Sequence, residues 1–375
     1  MRKRDCIPVA VLALLCAAMW FVPPVHPVVK DDGEPVRARV VSTDDNDIEL
    51  TGMLEYGTQH LEVELLDGAS RGRRFRAENE LRAQLDFDKK FSPGDIALVT
   101  WPDGGVKDGE PLTARDHWRL GWGMVLFGSF CVLIAVFGGW VGVKALFSFV
   151  FSCFMVWKFI IPLCLNGWSA AWVSFVAVCL LTCVIMYLVA GCTRKGVSAF
   201  LGAILGVGSS MALAGFFADA MHVTGATLPF VQALLYSGYP TLDLADLFIG
   251  AVMLASSGAL MDLAMDIAAG VDEVVLHNPN LPRRELFMSG LRIGRSVVGT
   301  MTTTLLLAYS GGYLTLLMAF AAQGTSPMVF LNSTVVSAEA VKTLVGSFGL
   351  VLVAPFTSFV SAYLPRNPSE AVTRS

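Results

Sequence analysis

The chain has 375 residues, of which 54% are hydrophobic and 15% charged, with a formal net charge of −4 and a mean hydropathy of +0.61. A soluble domain of this size carries nearer a quarter charged residues, so the composition excludes an ordinary soluble enzyme or binding domain and makes lipid the solvent for most of the chain. The acidic balance also argues against nucleic acid as a partner.

The chain opens on Arg2, Lys3 and Arg4, followed by an apolar run over 6–22. A basic start before a short apolar stretch reads as a signal anchor, or as a signal peptide cut near Cys16-Ala17-Ala18. Residues 1–26 form this leader. Residues 27–116 are different in kind: 30–116 hold 12 of the 27 Lys/Arg and 20 of the 31 Asp/Glu. His60–Leu65 alternates at period two, Arg73–Arg76 and Ile96–Trp101 are further strand candidates, and Asp67-Gly68, Ser70-Arg71-Gly72 and Ser92-Pro93-Gly94-Asp95 supply turns. A small β-rich domain is expected.

A helix needs about 20 apolar residues to cross the roughly 30 Å hydrocarbon core. Besides 6–22, the qualifying runs are 119–138, 144–165, 169–190, 197–220, 245–268, 296–320 and 342–364. The expected fold is thus an all-α polytopic membrane bundle of about eight spans with a small extracytoplasmic β-rich domain. A seven-span body covers 117–366, and a cytoplasmic tail covers 367–375. Orientation follows from Lys and Arg, which favour the cytoplasmic side. Started inside, the cytoplasmic segments collect Arg2, Lys3, Arg4, Lys144, Arg194, Lys195, Arg283, Arg284, Arg292, Arg295, Arg366 and Arg374. The opposite short loops near 166–168, 221–244 and 321–341 carry none. Both termini are expected in the cytoplasm of a bacterial cell bounded by this inner membrane, with 27–116 outside.

The eight cysteines all lie in or beside apolar runs, which suits packing better than a disulfide framework. There is no Walker loop, HExxH, G-x-S-x-G or CxxC, so no enzyme activity, cofactor or metal is expected. Lys158 lies within the run 144–165 and is either intramembrane or snorkels to the interface if the span shifts. His222, Asp219, Asp243, Asp246, Asn332, Glu339 and Lys342 border spans or sit at their ends, and solvated helix ends explain them best. Gly202 and Gly206 form a Gly-x-x-x-Gly packing motif.

A charge within the hydrocarbon costs several kcal/mol and asks for a partner or a purpose. The run 245–268 contains Ser256-Ser257-Gly258-Ala259-Leu260-Met261-Asp262 and, one turn later, Asp266. With its midpoint near Ser256, Asp262 lies roughly 9 Å toward the cytoplasm and Asp266 roughly 15 Å. The next span opens with Arg292 and Arg295 and continues through Thr300, Thr302 and Thr304. Antiparallel packing of the two spans would set those threonines at the depth of Asp262 and the arginines at that of Asp266. The expected ion or substrate site is Asp262 with Thr300, Thr302, Thr304, Ser256 and Ser257. The expected cytoplasmic gate or ion pair is Asp266 with Arg292 and Arg295. The competing explanation is a set of ion pairs and hydrogen bonds that simply lock two helices.

Three stretches carry a resemblance to a known family. Ser257–Ala268 contains Gly-Ala-Leu-Met-Asp-Leu-Ala-Met-Asp; Ser289–Arg295 leads into Gly299–Tyr309; and Leu331-Asn332-Ser333 precedes Gly346–Val351 and Ala354–Thr357. Together they resemble the YibE/F-like membrane proteins over most of 119–364. The chain departs from the pattern at Ser296 (Asp expected), Thr303 (Asn expected) and Ser333-Thr334 (an acidic residue expected). The resemblance implies a polytopic, transporter- or permease-like protein.

Two functions are therefore expected to compete. One is a transporter driven by an ion gradient, with a proton or cation and an unidentified small solute as cargo. The other is a membrane-anchored assembly, scaffold or signalling protein whose outer domain binds an extracytoplasmic protein. The lipid bilayer is a partner in both, and a second copy of the chain is allowed by both.

Overall fold

The computed structural model describes residues 33–68, 70–102, 105 and 110–365. The expected first span, 6–22, and the tail, 367–375, lie outside the described residues. The chain divides into two compact units between Val136 and Phe137.

The first unit contains six strands: β1 Gly33–Asp44, β2 Ile48–Thr51, β3 Leu54–Leu65, β4 Arg74–Arg82, β5 Ile96–Pro102 and β6 Leu112–His117. The expected strand candidates fall within β3, β4 and β5. The sheet runs β1-β5-β6-β4-β3-β2, and an additional β1–β3 pairing closes it on itself. Four of the five junctions in the closed ring are antiparallel, while β4 and β6 run parallel. This is a five-strand Greek-key barrel of the OB type, with β2 extending the β3 edge. Closure removes the open edges that a small sheet would otherwise expose. Val40, Val63, Leu65, Ala77, Ala97 and Val99 fill the interior.

A buried amide network fastens the 88–95 loop to the barrel. Gln59 and Asn79 are almost fully buried. The Gln59 amide donates to Asp45 Oδ1 (2.9 Å) and to the Phe91 carbonyl (3.0 Å), and its oxygen accepts from Phe91 N (3.0 Å). Asn79 Nδ2 donates to Gln59 Oε1 (3.1 Å) and to the Lys89 carbonyl (2.6 Å). The Gln59 amide, aided by Lys90, holds the Asp45 carboxyl below its ordinary range.

From Leu120 onward the chain is helical, and its first helix begins within the first unit and continues into the second. Among the described residues, five helices are long and apolar enough to cross a membrane, and a bent pair makes a sixth candidate. The first is 46 residues long: α1 Leu120–Met155 passes through a π-turn, Val156–Ile160, into α2 Ile161–Leu165. Unbroken, that would measure about 69 Å, over twice the ~30 Å hydrocarbon thickness. It is broken at Gly139, whose φ of 51° and ψ of −129° no side-chain-bearing residue adopts readily. The expected spans 119–138 and 144–165 lie on either side of that break. The π-turn falls immediately before Pro162, which has no N–H to continue the α pattern.

α3 Ala170–Ala190, α4 Arg194–Ala220, the short α5 Val231–Tyr236, and α6 Leu244–His277 follow. Asp243 caps α6, accepting from Ala245 N at 3.0 Å and Asp246 N at 3.1 Å, which gives this loop-border aspartate a structural role. α7 Arg283–Gly312 and α8 Leu314–Ala322 meet at 63°. The expected span 296–320 is therefore bent, and its helix begins well before residue 296. Gly311 and Gly312, weak helix formers, lie at the bend. α9 Pro327–Asn332 and α10 Thr334–Tyr363 complete the chain.

Small residues set the packing. A side chain added at Gly202 would meet Thr357, one at Gly206 would meet Val353, and one at Gly349 would meet Ser210. These positions fall every four residues on both α4 and α10, so the two helices lie antiparallel and close over about two turns. On α7, a Cβ at Gly290 would lie 2.6 Å from Ser358 Oγ, and one at Gly294 would lie 2.8 Å from Ala354 Cβ. α6 sits among them: Gly250 faces Ser174 of α3, Leu260 reaches Gly206 and Gly349, Ser256 faces Gly346 of α10, and Ile267 faces Gly294 of α7.

Gly206→Leu should lower the thermal unfolding midpoint in detergent markedly, by an overpacking cost of about 1–3 kcal/mol or more. Gly128→Leu, where a Cβ meets nothing within 4 Å, should leave the midpoint unchanged. In the barrel, a depressed Asp45 contributes stability that is present above the unfolded carboxyl value near pH 4 and lost as pH falls through the lower folded value. Asp45→Asn should flatten the acid limb of the barrel's unfolding curve while lowering stability at neutral pH; an unaltered acid limb would remove Asp45 from that linkage.

Candidate functional site

The expected register between α6 and α7 is present. Ile267 lies against Gly294 and Gly270 against Ile293, so the antiparallel helices set Asp266 level with Arg295–Ser296 and Asp262 level with Thr300. The rotation of the two helices differs from the expected one. Asp262 and Asp266 are exposed, as are Arg292, Arg295, Thr300 and Thr304, while Thr302 is half-buried. Among the described residues, no hydrogen bond or ion pair reaches the side chain of Asp262, Asp266 or Arg295.

The expected intramolecular pairing of Asp266 with Arg292 or Arg295 is therefore not made. Arg292 donates instead to the Met288 carbonyl (3.4 Å) and to Ser289 Oγ (3.2 Å) on its own helix. The threonines also bond within their helix: Thr300 Oγ1 to the Val297 carbonyl at 2.9 Å, Thr303 Oγ1 to Gly299 at 3.1 Å, and Thr304 Oγ1 to Thr300 at 3.0 Å. A hydroxyl that donates to its own helix keeps its lone pairs, so these threonines present acceptors outward.

Ser256 and Ser257 are placed apart from the carboxylates. Both are buried and donate to backbone carbonyls one turn back: Ser256 to Val252 at 2.9 Å and Ser257 to Leu254 at 2.8 Å. Ser256 faces Gly346 of α10, where its smallness admits the neighbouring helix, and Ser257 is buried in the interior. The structure thus divides the sequence-expected cluster in two, with an outward face of Asp262, Asp266, Arg295, Thr300 and Thr304 and an inward packing pair of serines.

The outward face of α6 follows helical spacing: between Leu244 and Val271 the exposed positions are Ala255, Gly258, Asp262 and Asp266. α3 and α7 pack on the two sides of α6, and α4 and α10 lie behind. The carboxylates, with Ala255 and Gly258, therefore lie on the side of α6 left open between α3 and α7. Asp is too short to reach an aqueous interface from one-third of the way along a span, whereas Arg can snorkel. Asp262 must be met by water, a cation, a proton or another chain.

A second polar group was not visible as a unit in the sequence. Lys342 Nζ lies 3.1 Å from Glu339 Oε2 and 3.1 Å from Tyr313 OH, and 5.4 Å from the centre of the Tyr313 ring. The Lys342 and Glu339 side chains are only 17% and 19% exposed, although both read as solvated helix-end residues. The buried Tyr309 hydroxyl has no hydrogen-bond partner, and Gly346 and Ser256 stand next to it. The available signal was spacing: Tyr309 and Tyr313 lie one turn apart, as nearly do Glu339 and Lys342, so each pair shares a helical face.

Among the described residues, no three His, Cys, Asp or Glu side chains gather as a metal-ligand set.

Lys342→Met leaves Glu339 largely buried without its cation, and Glu339→Gln leaves the ammonium group. A double-mutant cycle on detergent unfolding should give a coupling of about 0.5–3 kcal/mol, with the double variant more stable than the sum of the singles predicts. Additive singles would reduce the pair to a surface contact.

A family model described as YibE/F-like protein matches residues 126–367. No curated protein and no solved structure matches the chain. The matched segment takes in all of α2–α10, including the α6 carboxylates, the α7 arginines and the Lys342 cluster, and it exceeds half of the sequence. The chain is a membrane-embedded helical protein that belongs to the YibE/F-like family.

Proposed function

We propose that this protein is a transporter driven by an ion gradient, with Asp262 as the proton or cation site. The observation that carries the reading is an exposed, unpaired carboxylate about 9 Å from the middle of an apolar run, level with outward hydroxyls on the adjacent helix. A carboxylate in that position is stable when it takes up a proton or a cation, and moving such a charge across lipid is what a coupled transporter does. Thr300 and Thr304 supply neutral oxygens of the kind that complete a hard cation's shell. Asp266, Arg292 and Arg295, one turn toward the basic side, form the charged mouth of the path. The break at Gly139 and the bend between α7 and α8 support a reading of seven spans over 117–366, and the distribution of Lys and Arg in the sequence supports cytoplasmic termini in a bacterial inner membrane with residues 27–116 outside.

One observation favours the scaffold reading for the barrel. A polar groove of about 860 Å³ runs over β1, β3 and β4, lined by Ser42, Asp44, His60, Glu62, Arg74 and Glu78 among others. In OB-type barrels this face takes extended ligands. A partner bound there and transport by the helical body are compatible activities of one chain.

The test is flux through the purified protein. In proteoliposomes with an entrapped pH dye and an imposed proton gradient, and separately a sodium gradient, the wild type should dissipate one of them. Asp262→Asn should reduce that flux at least tenfold while expression and unfolding midpoint stay unchanged. Undiminished flux in the Asn variant would end the proposal.

A further inference from the structure

The small residues of the α6–α7 hairpin fall into two classes. Those at Gly270, Gly290 and Gly294 are used within the chain, where an added Cβ would lie 2.6–2.8 Å from a neighbouring atom. Gly258 and Gly299 are not: an added Cβ at either would meet nothing within 4 Å. Both lie in the same exposed stretch as the unpaired charges, Gly258 one turn before Asp262 and Gly299 one turn after Arg295. Small residues on an exposed helix face in lipid serve the close approach of another helix, and no described helix of the same chain uses these two.

The charges indicate which helix. At the level of Asp266 the outward cation is Arg295, and at the level of Asp262 the outward groups are Thr300 and Gly299. A rotation about an axis along the membrane normal preserves depth. A second copy related by a two-fold axis therefore brings its α7 against this α6 with Arg295 level with Asp266, and its α6 against this α7 in the same way. The face is self-complementary, as an isologous interface requires.

We propose that a second copy of this chain docks on the exposed face of α6 and α7, pairing Asp266 of each copy with Arg295 of the other. Gly258 and Gly299 let the two hairpins approach. Asp262, one turn deeper, then faces the other copy's hydroxyls in a cleft closed from lipid. In this last respect the inference builds on the transport reading, because a conducting cleft floored by α6 needs a wall on its lipid side.

Opposite charge swaps on separate chains test it. In lipid nanodiscs, the wild type should be dimeric by single-particle mass measurement, while Asp266→Arg alone and Arg295→Asp alone should be monomeric, each placing like charges across the axis. Co-expressed with different tags, the two variants should co-purify as mixed dimers, because a mixed pair restores both contacts. Gly258→Leu, which adds bulk where the chain itself has open space, should be a monomer with a wild-type unfolding midpoint. A monomeric wild type, dimeric swap variants or a dimeric Gly258→Leu would each overturn the proposal, and the Leu variant decides the matter if the swaps do not accumulate. Oligomeric state is read without flux, so Asp262→Asn remaining dimeric while losing flux separates this proposal from the transport reading.

Discussion

The structure turns on the cost of holding a carboxylate inside a membrane span. α6 is the helix that bears it, and it is also the helix most surrounded by others. Its inner face is almost seamless: Ser256, Leu260 and Ile267 meet α10, α4 and α7 at glycines, and Met253, Leu263 and Ala264 are fully buried. That face fixes the rotation of the helix. Once fixed, Asp262 and Asp266 have one direction left, outward between α3 and α7. The tight glycine packing and the exposure of the carboxylates are thus one fact seen from two sides.

The same packing explains why the neighbours do not satisfy the carboxylates. α7 lies close enough to α6 for Gly294 to touch Ile267, yet its arginines and threonines are turned away, because the buried side of α7 is taken up by Leu286, Gly290, Gly294 and Leu305. Proximity of two helices sets depth, and rotation sets partners. The charged groups are left at matching depths on one hairpin, free to meet water, a cation or another protein surface. At the other end of the bundle the opposite solution is used, with Lys342 folded against Glu339 and Tyr313 and largely shielded.

Much of this was legible in the sequence, for reasons that can be named. The apolar runs, the α6–α7 depth match and the Gly202/Gly206 contact follow from periodicity and rise per residue, which are local properties. The strand candidates in β3, β4 and β5 follow from alternation and turn residues. The failures are all matters of long-range geometry. An ion pair between Asp266 and Arg295 within one chain depends on how far each helix is rotated by its other contacts, which a single span does not reveal. Ser256 and Ser257 share a helix with Asp262 but not a face: both are buried, and Ser256 lies against Gly346 of α10. Closure of the barrel rests on the β1–β3 pairing between residues about twenty apart. The break at Gly139, by contrast, falls in the gap between the expected runs 119–138 and 144–165, and its backbone angles fix the position. The bend at Tyr313 was hidden because residues on both sides are equally apolar.

Ion transfer at Asp262 requires its carboxyl to touch water below the level of the lipid headgroups. Infrared difference spectroscopy of the protein in lipid, stepped in pH and compared with Asp262→Asn, addresses that carboxyl directly. A hydrated carboxyl gives a band, absent in the Asn variant, that appears and disappears with bulk pH and shifts promptly in D2O. A band that ignores bulk pH and resists deuterium exchange would mean a dry, permanently sealed group with no part in transport.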